Sequence, residues 1–102
     1  MYIYHYFIDY NKNTITIKQE SYEELSNNRI RIHSIPNRTL SVKNIGILLN
    51  HRTVFLFERN DELVLNLFNL YINNKIQSLE NDLDRFRNLK TLINNKELME
   101  VK

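Results

Sequence analysis

The sequence predicts an α+β domain. A small antiparallel sheet, built from an N-terminal hairpin plus two further strands, packs on a long C-terminal helix or helix pair with coiled-coil character. Residues 2–10 alternate in side-chain character, and Thr14–Glu20 does so again with β-branched residues, which is the period of a half-buried strand. From Asn60 to about Asn95 the chain has neither Gly nor Pro, and its apolar residues recur at helical spacing. Strands grouped ahead of one helical segment define the α+β class.

In the first strand Tyr2, Tyr4, Tyr6, Ile8 and Tyr10 share one face, and Ile3, His5, Phe7 and Asp9 share the other. Tyr10-Asn11-Lys12-Asn13 is a turn, because Asn tolerates positive φ better than any residue except Gly. Thr14–Glu20 returns as the second strand. Ser21–Asn28 reads as a polar turn, with room for one helical turn through Leu25. Arg29–Ser34 is the third strand, with Ile30 and Ile32 on one side and Arg29, Arg31 and His33 on the other. Pro36 and Asn37 end it. Ser41 is placed to cap a short helix of about 42–49, with Val42, Ile45, Leu48 and Leu49 on one face. Thr53–Glu58 is the fourth strand, apolar enough to be central.

Asn60 can cap the helix that follows, and Asp61 and Glu62 suit the positive end of its dipole. Residues 63–72 carry apolar groups over more than half of the circumference, which predicts burial on the sheet and leaves surface for a partner chain. Past Ile72 the pattern narrows to Ile76, Leu79, Leu83, Phe86 and Ile93, a seam of period 3.5 interrupted by Lys90. Such a stripe needs a cover, either a second copy, a fold-back or a target protein. Asn73-Asn74 is where one helix could become two. Unbroken, residues 61–94 span roughly 50 Å at 1.5 Å per residue. The reading is one domain, residues 1–102, with a β-rich part (1–59), a helical part (60–95) and a frayed tail (96–102).

Composition narrows the function classes. The 102 residues hold no Cys, so neither a disulfide frame nor a thiolate metal site is available, and a reducing, cytoplasmic compartment is expected. No leader pattern opens the chain and no apolar run approaches a membrane span, so no membrane partner is expected. A net charge of +2 is too small to imply nucleic acid by itself. Residues 1–59 carry eight Lys/Arg against five Asp/Glu, and residues 60–102 carry six against seven, so any basic surface belongs to the β-rich part. Abundant Asn, Ile and Lys with no Ala point to an AT-rich genome.

The chemistry-bearing candidates are few. A Tyr2/Tyr4/Tyr6/Tyr10 stripe near Arg29, Arg31, His33, Arg38 and Arg52 could stack the bases of a nucleotide or single strand or form a protein interface, and Arg29, Arg31 and His33 on one strand face could meet an anion or an acidic protein. The plainer reading is an amphipathic strand whose Tyr hydroxyls reach water. His5, His33 and His51 show no ligand spacing, so no metal is expected. With one Gly, Gly46, there is no phosphate-cradling loop, and no nucleophile elbow is present. The expectation is a non-enzyme with no cofactor.

One likeness follows from the layout. An N-terminal hairpin, a strand Thr-Val-Phe-Leu-Phe-Glu, then Asn60-Asp61-Glu62 opening a Leu-rich helix through Tyr71-Ile72-Asn73-Asn74-Lys75-Ile76 resembles small accessory proteins of low-GC bacterial phages and prophages. That resemblance implies an anti-defence inhibitor that occupies a host effector. The function expected is therefore a homodimeric or higher-order binding protein acting on a host defence protein. The alternative is a nucleotide-signal or nucleic-acid binder using the Tyr/Arg face.

Overall fold

The structure, a computed structural model, describes residues 1–101, which form two compact units meeting between Asn69 and Leu70. In the first unit β1 (Tyr2–Asp9), β2 (Thr14–Leu25), β3 (Arg29–Ile32), β4 (Arg38–Ser41) and β5 (Thr53–Leu56) form one antiparallel sheet in the order β4-β3-β2-β1-β5. With the helix α1 (Asp61–Asn94) the arrangement is α+β.

The sheet curls about β2. Residues 14–21 of this strand pair with β1, while Tyr22–Leu25 pairs with β3. Serving two ladders in succession carries the right-handed twist of the strands into a fold-over. Tight turns fix the register. Asp9 Oδ1 accepts the N–H groups of Asn11 and Lys12 at 3.0 and 3.1 Å, and Asn13 takes φ 54°. Asn27 and Asn28 both take positive φ between β2 and β3, as Asn tolerates.

Both faces of β1 are used. Tyr6 and Ile8 join Val54 and Leu56 of β5 beneath Val64 and Phe68 of the helix. On the reverse face Ile3 and Phe55 pack with Ile30, Ile32 and Leu40, which the curl brings round. Helix entry is pinned at several atoms. Asn60 Oδ1 accepts the N–H of Leu63 at 3.1 Å, the N-cap its sequence predicts. The Tyr6 hydroxyl donates to Asp61 Oδ1 at 2.7 Å and accepts the Asn60 N–H at 3.1 Å.

Several expectations are corrected. Ser21–Leu25 is strand, held by pairing with β3 and by the Arg31–Glu23 ion pair at 2.8 Å. Arg38–Ser41 is an unforeseen fifth strand, whose Leu40 is 8 % exposed. The short helix of about 42–49 is a three-residue 3₁₀ turn, Val42–Asn44, with no side-chain cap from Ser41. β5 stands last in the sheet order, not centrally. Its outer edge is covered by the segment after that turn, where Gly46 N–H donates to the Phe55 carbonyl and Leu49 N–H to that of Thr53. Within residues 63–72 only Val64 and Phe68 are buried, while Leu63, Leu65 and Leu70 are exposed.

The second unit continues α1 to Asn94 without a break at Asn73-Asn74. It ends in a Schellman cap: Lys96 takes φ 54°, its N–H donates to Ile93, and Glu97 N–H donates to Leu92. Among the described residues no helix is long and apolar enough to cross a membrane.

Candidate functional site

In the first unit, the sheet face opposite the helix is hollow. One cavity of about 390 Å³ and another of about 700 Å³ share His5, Lys18 and Arg38 in their walls. The register explains this grouping. His5 lies opposite Lys18 on β2 and opposite Phe55 on β5, so all three project to one side. The curl then lays Arg38 of β4 over the Phe55 ring, with the guanidinium carbon 5.4 Å from its centroid. Arg52 enters from the turn before β5.

The floor is aromatic but mostly covered. His5 stacks on Phe55 with centroids 4.4 Å apart, and Phe7 tilts against His5 at 5.2 Å. Phe55 is 1 % exposed, so its ring offers no open face. Lys18 Nζ sits 5.4 Å above the Phe7 ring. Neither Lys18, Arg38 nor Arg52 forms an ion pair among the described residues. Asp9 lines the smaller cavity and Glu20 the larger; Glu20 Oε1 lies 3.3 Å from His5 Nδ1, and its Oε2 is buried without a partner. Burial pushes the His5 imidazole below its ordinary pKa of 6.5; the Glu20 carboxylate opposes this, and the nearby Arg38 and Lys18 charges add to it. The hollow thus gathers three cations, from β2, β4 and the β5 turn, against the carboxylates of Asp9 and Glu20, so its walls are basic by a single formal charge.

The residues singled out from sequence divide among separate surfaces. Arg38 and Arg52 come together at the hollow, and His33 lines its larger part. Arg29 and Arg31 do not join them. They alternate with buried Ile30 and Ile32 and so face away, exposed, with Arg31 paired to Glu23. The Tyr stripe lies on the helix side. Tyr6 is 3 % exposed and Tyr4 packs against the same cluster, so neither is a stacking platform; Tyr2 remains exposed. Sequence reasoning missed His5, Phe7, Lys18 and Phe55. Their signal was the other face of the same alternation, Ile3, His5, Phe7, read against Lys18 on the returning strand. No group of three or more His, Cys, Asp or Glu among the described residues could hold a metal ion.

The second unit carries the other candidate surface. Ile76, Leu79, Leu83, Phe86 and Ile93 are 48 to 74 % exposed along one helix. Comparison of the chain with protein-family models, with curated proteins and with solved structures finds no match.

Proposed function

We propose that the chain is a non-catalytic binding protein that works as a homo-oligomer and acts by occupying an acidic surface of another protein. Through the resemblance to phage accessory proteins, that target is a host defence effector. The observation that carries the reading is the hollow of the first unit, where Lys18, Arg38 and Arg52 stand without a carboxylate partner. Cations left unpaired in a concavity attract an anionic group and steer its approach. The covered state of the Phe55 ring favours recognition by charge over a base held between rings. A second reading, a small phosphate-bearing ligand such as a nucleotide, is supported by the cavity of about 390 Å³, which is in the range of small-molecule sites.

The test is affinity capture from a lysate of a low-GC bacterium, with mass spectrometry of both the protein and the small-molecule fractions. Wild type is compared with Arg38→Glu/Arg52→Glu. Both side chains are exposed, and exposed charges contribute less than about 1 kcal/mol to folding. The variant should keep the wild-type melting temperature and lose an acidic protein that wild type retains. Retention of a nucleotide in its place would establish the second reading. Identical captures by both proteins would exclude the hollow as the binding surface.

A further inference from the structure

Residues 70–94 form a helix in which no residue is buried. A helix of this length rich in Asn is marginal in water on propensity alone. Its apolar groups fall in heptad order. Ile72, Leu79, Phe86 and Ile93 occupy d positions, and Ile76, Leu83 and Lys90 occupy a positions. The same frame puts Lys75, Asp82 and Leu89 at g, and Asn73, Glu80, Arg87 and Asn94 at e.

We propose that residues 72–93 pair with the same residues of a second copy as a parallel, in-register, two-stranded coiled coil. The proposal rests on the homo-oligomeric reading above and specifies its geometry. In a parallel pair each g residue meets the e residue five positions further along the partner, where charges set partner choice and orientation. Lys75 then faces the partner's Glu80, and Asp82 faces the partner's Arg87. Both contacts are attractive, and the two-fold axis repeats them on the other side. Residues five apart do not meet on one helix, so these charges are not matched to each other within the chain. Asp82 and Arg85 do form a contact at 3.5 Å along their own helix, which leaves Arg87 available.

An antiparallel pair sets g against g and e against e. Overlapping the whole seam, it can match Glu80 with the partner's Arg87, but it leaves Lys75 and Asp82 without opposite charges. Ile76 at a with Leu79 at d fits two strands, whereas Ile72 and Ile93 at d and Leu83 at a suit larger bundles, so strand number is set by Lys90 and the g–e charges and not by the apolar residues. In register, Lys90 meets the partner's Lys90. Its aliphatic stem covers the seam while the ammonium stays in water, which the open flanks of a two-stranded coil permit. A single polar a position lowers affinity and selects register and strand number.

The chain has no Cys, so an introduced one reports on the partner alone. Ile76→Cys and Ile93→Cys should each give a covalent dimer on mild oxidation, because each residue faces its own copy. In an antiparallel dimer neither would cross-link alone, and only a mixture of the two would. Charge variants provide a test that leaves the seam intact. Lys75→Glu should weaken association several-fold, and Lys75→Glu/Glu80→Lys should restore it to within about two-fold of wild type. A dimer whose single-Cys variants fail to cross-link, or a charge reversal without rescue, overturns the parallel register and leaves the homo-oligomeric reading standing. A wild type that sediments as a monomer overturns both.

Discussion

Tyr6 shows how much one side chain can settle. Its ring is buried between β1 and the helix, while its hydroxyl satisfies Asn60 N–H and Asp61 Oδ1 at the helix start. Arg59 holds the same carboxylate from outside, and these two hydrogen bonds keep Asp61 below the usual carboxylate range. Tyr6→Phe keeps the ring and leaves the Asn60 N–H without this partner, so it should lower stability by about 1–2 kcal/mol, read as a fall in chemical-denaturation midpoint. An unchanged midpoint would mean water replaces the hydroxyl at no cost. His5 gives a pH signature. Its folded pKa is depressed, so the unfolded chain binds its proton first. Its contribution is complete above pH 6.5, and stability declines as pH falls below 6.5 toward the folded value. The groups facing it are Glu20 and Lys18 of β2 and Arg38 of β4. The melting temperature should drop from pH 7.5 to 5.5 in wild type and drop less in His5→Phe, which keeps the ring stack; equal slopes would remove His5 from the balance. Alternation in the sequence separates Tyr6 from His5, but it does not say which face receives the helix. That depends on the curl, which no local pattern encodes.

Among the elements, the helix was the most legible and β4 the least. Asn60, Asp61 and Glu62 carry a start signal, and thirty-four residues without Gly or Pro give nothing to stop the helix, so Asn73-Asn74 stays helical. The width of its apolar face misled. Leu65 is 48 % exposed, and Phe57, read from sequence as part of an apolar central strand, lies one residue past β5 and is 38 % exposed. Docking rests on Val64 and Phe68, one turn apart. Phe68→Ala should cost ~3–5 kcal/mol, measured by thermal unfolding of the first unit's sheet signal, whereas a change below ~1 kcal/mol would show that the helix does not depend on this anchor. β4 has one buried apolar residue, Leu40, in Arg-Thr-Leu-Ser, too little for a strand pattern. The Ser21–Leu25 extension of β2 was hidden by Glu23-Glu24. Such polar residues become strand because a partner ladder supplies their backbone bonds, which is a tertiary effect.

At the scale of the molecule, the sequence announces the seam but scatters the basic hollow. A heptad is a local pattern, whereas Lys18, Arg38 and Arg52 come from three distant points that only the curled sheet brings to one wall. The first unit presents the basic hollow and the second an exposed apolar stripe. Each buried Leu, Ile or Phe contributes roughly 1.5–3 kcal/mol, so five from each copy exceed a rigid-body association cost of ~4–15 kcal/mol. The most direct test of the account is sedimentation equilibrium of the wild-type chain across ~1–100 µM. A dimer mass is expected at micromolar concentration, and Leu83→Asp/Phe86→Asp should abolish it by placing carboxylates on the seam. A wild type that sediments as a monomer up to ~100 µM would contradict the account, because two copies would then not cover the exposed residues 76–93.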